Sequence, residues 1–224
     1  MECPQKFWYR LTKSKESEST LPMRIGNIVH RLLEVSNNWE TTQEGLILAS
    51  SMLDDFDLSG YDVNKLIPYI EIFNNYWRKL TSPDDLIEHS FKFPIDTDVY
   101  LVGKFDRVLK KSNTLVDWKT NKEVPASLKN STQFLIYDEA YRIIYGKRPE
   151  SVVFASLVQP TLIPYQRNES RVSVVFDEIM PKIIHDWRHK NYARFGMFTN
   201  KCHNCAFKTV CYDELEYYKD ELDS

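Results

Sequence analysis

The sequence predicts an α/β chain, a mixed central sheet flanked by helices, and three observations predict it. Apolar residues recur at helical spacing between Ile25 and Glu34, short apolar runs of strand length crowd the stretch from Ile87 to Lys119, and helix-like and strand-like segments follow one another after Ser131. With 224 residues, 42% hydrophobic and 27% charged, the chain is long enough for one sizeable core with helical additions.

Ser14 to Thr20, rich in serine and charge, reads as an exposed loop. In the helix that follows, Ile25, Val29, Leu32 and Leu33 share a face, and Gly26, His30 and Glu34 form the neighbouring stripe. Two or three helices are expected as far as about Leu80, with breaks at Asn37 to Gln43 and Leu58 to Asp62. Ser82-Pro83-Asp84 punctuates the chain, and strands are expected near Ile87 to Pro94, Val99 to Leu109 and Thr114 to Lys119. A helix begins near Ser131 and carries Gln133 and Tyr137, four apart and so on one face. Further strands are predicted at Ser151 to Val158 and Arg171 to Phe176, then a helix from Ile179 to Arg194. No internal repeat occurs. Three parts of one compact domain are expected: a helical region over 1–80, a core over 81–177 and a cysteine-bearing end over 178–224.

The segment Leu115-Val116-Asp117-Trp118-Lys119 carries the sharpest chemical signal. In a strand, residues two apart project to the same face, so Asp117 and Lys119 point one way, Val116 and Trp118 the other. Lys110 to Asn113 is a short turn-forming linker, and hairpin pairing across it brings Asp106 of Gly103-Lys104-Phe105-Asp106 near Asp117. An acid and a lysine two apart are often a surface ion pair. Here both carboxylates interrupt apolar runs, where unpaired charge would cost several kcal/mol, and a hard cation such as Mg or Mn would compensate them.

The four cysteines fall as Cys3 near the start and Cys202, Cys205 and Cys211 near the end. The chain opens without an apolar secretory core, so a reducing, cytoplasmic location is expected and disulfides are the weaker reading. Four thiolates can close one tetrahedral metal or cluster site. The one-plus-three division favours a 4Fe-4S cluster over zinc, and four buried apolar cysteines are the bland alternative. Such a site would clamp the two ends of the chain together.

Taken in order, CPQKFWYR, GNIVHRLLE, the strand Glu88 to Pro94, GKFDRV, LVDWKTNK, QFLIYDEAY and KCHNCAFKTVC resemble the RecB-like branch of the PD-(D/E)xK nucleases. Within it the likeness is to the iron-sulfur group that includes the AddB nuclease domain and the CRISPR-associated and phage RecB-like exonucleases. The resemblance implies a restriction-endonuclease-like fold and a Mg- or Mn-dependent deoxyribonuclease. It implies that His30, Asp106, Asp117 and the Trp118 backbone carbonyl bind metal, and that Lys119 activates the attacking water and steadies charge on the phosphate. Gln133 and Tyr137 would face DNA or support the site, and the four cysteines would hold the cluster.

The net charge of −3 argues against a uniformly basic nucleic-acid coat. Locally, Leu101 to Lys122 carries six basic residues against Asp106 and Asp117, and Lys104 and Arg107 are the expected DNA contacts beside the site. Phe7, Trp8 and Tyr9 are expected to pack beneath the cluster rather than stack on bases. The predicted function is an exonuclease acting on DNA ends or single strands in repair, recombination, phage replication or CRISPR adaptation, with a helicase or CRISPR-adaptation partner and no membrane. A catalytically silent nuclease-like module that binds DNA or a helicase is the alternative, opposed by the complete acidic and lysine set. A zinc-stabilised interaction domain would leave that set unexplained.

Overall fold

The computed structural model describes residues 3, 5, 6, 8, 9, 19–121, 130–192, 202, 205 and 207–213. By its internal packing the chain divides into two compact units, Thr20–Phe176 and, separately, Met1–Ser19 together with Asp177–Ser224.

In the larger unit, helix α1 (Leu21–Glu34) starts with proline in its first turn and buries Ile28, Val29, Leu32 and Leu33. Helix α2 (Thr42–Met52) opens on a capping box in which the Thr41 hydroxyl accepts from the Glu44 amide and the Glu44 carboxylate accepts from the Thr41 amide. Helix α3 (Ile67–Ile72) runs into a π turn, Phe73–Trp77, that brings Phe73 and Trp77 into the core. The sheet then forms from β1 (Leu86–Pro94), β2 (Tyr100–Leu109), β3 (Thr114–Lys119), β4 (Ser151–Ser156) and β5 (Leu162–Pro164), in the order β1-β2-β3-β4-β5. β1, β2 and β3 are an antiparallel meander, β4 lies parallel to β3 after the crossover helix α4 (Thr132–Tyr145), and β5 returns antiparallel. This is the mixed sheet with helices that the sequence predicts.

Both sheet faces are packed. Val116, Trp118, Leu109 and Ala155 meet the α1–α3 residues on one face, and Leu115, Phe105, Val152 and Phe154 meet Phe134, Tyr137 and Tyr141 of α4 on the other. The β1–β2 ladder changes face along its length. Phe91, Phe93 and Phe105 pack toward α4, yet so do Leu86 and Val108, which have the opposite parity. The change falls between the Ile87–Arg107 and His89–Phe105 pairs, where Glu88 has φ 47, the left-handed region that a non-glycine residue rarely occupies.

Three expected elements differ. Arg171 to Phe176 is not a strand: α5 (Glu169–Ser173) passes into a π turn at Val174–Ile179, started by the Asn168 side chain accepting from the Arg171 amide at 3.1 Å. A short β-branched run fits either state, and the cap decides it. β4 stops at Ser156, whose hydroxyl accepts from the amides of Val158 and Gln159 and turns the chain. In the smaller unit, α6 (Met180–Arg188) ends before Arg194, with Lys190 at φ 54 just beyond it; residues 193 and 194 lie outside the described set, as do Phe7 and nearly all of the 14–20 loop.

Candidate active site

β3 lies in the middle of the sheet, and its alternation sends Trp118 into the core and Asp117 and Lys119 toward α4. Asp117 is 1% exposed. Its Oδ1 accepts from Gln133 Nε2 at 3.0 Å, and the same amide donates to the Tyr137 hydroxyl at 2.9 Å. The four-residue spacing on α4 thus ties helix and strand together through one side chain. Lys119 Nζ stands 2.7 Å from Asp117 Oδ2, and beyond that ionic contact Oδ2 is buried with no aligned hydrogen-bond donor among the described residues.

Asp106 reaches the site from β2. Its Oδ2 accepts from the Trp118 amide at 2.9 Å and lies 3.5 Å from His30 Nδ1, carried on α1. Among the described residues, the group of three or more His, Cys, Asp or Glu whose ligand atoms all fall within 4.8 Å of one another is His30, Glu88 and Asp106. Glu88 is the residue that sequence reading missed as a site residue. It sits in the break of the β1–β2 ladder between the Ile87–Arg107 and His89–Phe105 pairs, where strand register brings it near Asp106, a relation no local pattern signals. A recess of about 440 Å³ beside this group is lined by Asn27, His30, Arg31, Glu88, Lys104 and Asp106 among others.

The electrostatics mark the site as built for a cation. Burial pushes the Asp106 carboxyl up to about 6. Burial, reinforced by the Asp106 charge, pushes Asp117 up to about 6 as well. Burial lowers the His30 imidazole and so favours its neutral, ligating form, while the Trp118 backbone hydrogen-bonds the ring. Tyr137 is raised by burial and by the two aspartates, keeping its phenol protonated. Two carboxylates short of hydrogen-bond donors, a third opposite them and a neutral imidazole form a mixed oxygen and nitrogen set that fits Mg or Mn.

Lys104 and Arg107 part company. Lys104 is exposed and its ammonium lies 2.8 Å from Glu88 Oε2 at the rim. Arg107 is 1% exposed and cannot meet DNA; it pairs with Asp85 at 2.9 Å and also donates to Ser36 Oγ and the Ser82 carbonyl. Asp85, Ser36 and Ser82 enclose it on every bonded side, which corrects the expectation of an Arg107 contact.

None of the four cysteines forms a disulfide, each is half-buried, and all belong to the smaller unit. The Cys205 amide donates to the Cys202 carbonyl and the Cys211 amide to the Phe207 carbonyl. Tyr9 is buried against Phe207 with ring centroids 5.6 Å apart, and Trp8 stacks on Tyr192 at 4.5 Å. Trp8 and Tyr9, the described members of the aromatic run after Cys3, therefore pack within that unit.

A five-stranded mixed sheet presenting D-x-K at its centre, with an acid and a histidine beside it, defines a class: nucleases that hydrolyse phosphodiesters on a divalent metal. The family model described as PD-(D/E)XK nuclease superfamily matches residues 1–212, and the chain belongs to that superfamily. No curated protein matches it. Among solved structures, one described as "Crystal structure of SSO0001" overlaps 92% of this chain and 92% of its own at 13% identity, with a TM-score of 0.38.

Proposed function

We propose that the protein is a Mg- or Mn-dependent deoxyribonuclease of the RecB-like kind, acting as an exonuclease on DNA ends or single strands. The observation that carries this reading is the meeting of His30, Glu88 and Asp106 within 4.8 Å, next to Asp117, whose buried Oδ2 has only the Lys119 ammonium beside it. A cation bound there would lower the pKa of a water and polarise the scissile phosphate. His30, Asp106, Asp117 and the Trp118 carbonyl would hold it. Lys119 orients the attacking water and faces the charge that develops on the phosphoryl oxygens as the bond to the leaving oxygen breaks. Gln133 fixes the Asp117 rotamer through Oδ1, which leaves Oδ2 for the site. The complete set of ligands and lysine argues against a silent module.

Within this reading, 1–80 supply the histidine helix and the first cysteine, 81–177 the nuclease core, and 178–224 the other cysteines. The 4Fe-4S cluster on Cys3, Cys202, Cys205 and Cys211 is supported by four half-buried cysteines, none in a disulfide, that belong to one compact unit. Its role is structural. End-labelled single-stranded and duplex DNA, with Mn, Mg or EDTA, tests the activity on wild type, Asp117→Ala and Lys119→Ala. Metal-dependent cutting lost in both variants is expected, about 10²-fold or more. A wild type, purified anaerobically, that cuts no substrate would overturn the reading.

A further inference from the structure

In the outer half of the β1–β2 hairpin, beyond the change of face at Glu88, side chains alternate strictly. Phe91, Phe93 and Phe105 are buried, while Ser90, Lys92 and Pro94 of β1 and Tyr100, Val102 and Lys104 of β2 are exposed on the other face. The register sets them in pairs: Ser90 opposite Lys104, Lys92 opposite Val102, and Pro94 opposite Tyr100. The Lys92 ammonium lies over the Tyr100 ring, 4.2 Å from its centroid. Tyr100 is 49% exposed and Val102 66%, unusual for an aromatic and an aliphatic side chain at the middle and end of regular strands.

The stripe is continuous with the site. A shallow concavity of about 520 Å³ is lined by Ser90, Lys92, Val102 and Lys104, and Lys104 also lines the recess that holds His30, Glu88 and Asp106. Lys104 is held at this junction by Glu88, at 2.8 Å. At the far end the hairpin turns through Asp96 and Asp98, whose charge bounds the stripe.

We infer that this outer hairpin face is a track for one DNA strand, which it delivers to the metal group. Lys92 and Lys104 take successive phosphates, the Tyr100 ring takes a base, and Val102 takes an apolar sugar or base face. A polyanion matches the charge, and an aromatic ring beside an ammonium is the combination that holds single strands without reading sequence. A duplex buries its base faces and offers nothing to Tyr100. The inference rests on the nuclease reading and names the form of DNA that the site takes.

Binding separates the two. Fluorescein-labelled dT20 is titrated in EDTA, so that no cutting intervenes, against full-length wild type, Lys92→Glu, Tyr100→Ala, Lys92→Arg and, as an equal charge change elsewhere, Lys65→Glu. Lys92→Glu and Tyr100→Ala should each weaken dT20 binding by about fivefold or more, and the salt slope of Lys92→Glu should fall by about 0.7. Lys92→Arg should bind as wild type, Lys65→Glu should change little, and a blunt duplex should be less affected than dT20. All three positions are exposed, and matching circular dichroism melts check the fold. Unchanged dT20 affinity in both track variants, no dT20 binding by wild type, or an equal loss on duplex would each overturn the track. An enzyme that still cuts DNA in Mn would meanwhile keep the nuclease reading intact.

Discussion

Asp106 and Arg107 are neighbours in β2 with opposite surroundings, and their charges show what burial demands. The side chains of Arg107 and Asp85 are each 1% exposed and bonded to one another, with Ser36, Ser82 and Lys110 closing the remaining valences. Arg107→Ala would leave the Asp85 charge buried and unpaired, so a loss of about 3–5 kcal/mol is expected in urea unfolding. Asp106 and Asp117 lack that compensation. Their folded pKa values are raised from 3.8 to about 6, so between those limits the folded protein binds more protons than the unfolded one. Metal-free stability therefore falls as pH rises from about 4 to 6 and stays low above that. A cation needs the ionised pair, so its stabilisation is largest above about pH 6 and fades below it. In thermal melts at about 100 times the dissociation constant, Mn should raise Tm by about 5–10 °C at pH 7.5 and by clearly less at pH 5. Equal shifts at both pH values would contradict this assignment.

At the scale of elements, two devices hold the site in register. Gly103 faces Phe91 across the β1–β2 ladder, and a Cβ there would stand 2.4 Å from the Phe91 ring. That ring is enclosed by Phe93, Phe105 and Tyr137 and has little room to yield. Gly103→Ala should therefore cost about 1–3 kcal/mol, read from the denaturant midpoint at unchanged m. The second device is a clamp on α4. Buried Asp138 accepts from Arg167 Nε at 2.9 Å and pairs with Arg148, which also pairs with buried Glu139. These bonds fix the rotation of the helix whose first turns carry Gln133 and Tyr137. Asp138→Leu would leave Arg167 without this carboxylate and Arg148 with Glu139 and Glu169 alone, and the expected result is about 1–3 kcal/mol lost together with a lower kcat, because Gln133 no longer holds Asp117. A fall in stability with kcat intact would separate the clamp from the site.

At the scale of the whole molecule, residues at the two ends of the sequence share one unit, and the cluster proposal predicts what holds it. Cys211→Ser should abolish absorbance in the visible blue and open Met1–Ser19 and Asp177–Ser224 to limited proteolysis, while Thr20–Phe176 survives as the resistant fragment. The sequence by itself determined the elements and the chemistry written at short spacing. Helical periodicity fixed the buried face of α1 and the place of His30, period two put Asp117 and Lys119 on one face of β3, and a four-residue step joined Gln133 to Tyr137. Each depends only on backbone geometry within a few residues. The tertiary structure decided what depends on register. Pairing across β1 and β2, with Glu88 in the left-handed region, brought Glu88 to the metal group, while Asp85 and Ser36 closed over Arg107. A cap at Asn168 made a helix of the run to Phe176, which composition leaves ambiguous between helix and strand. Strand register and change of face are set by partners far away in sequence, and no local pattern encodes them.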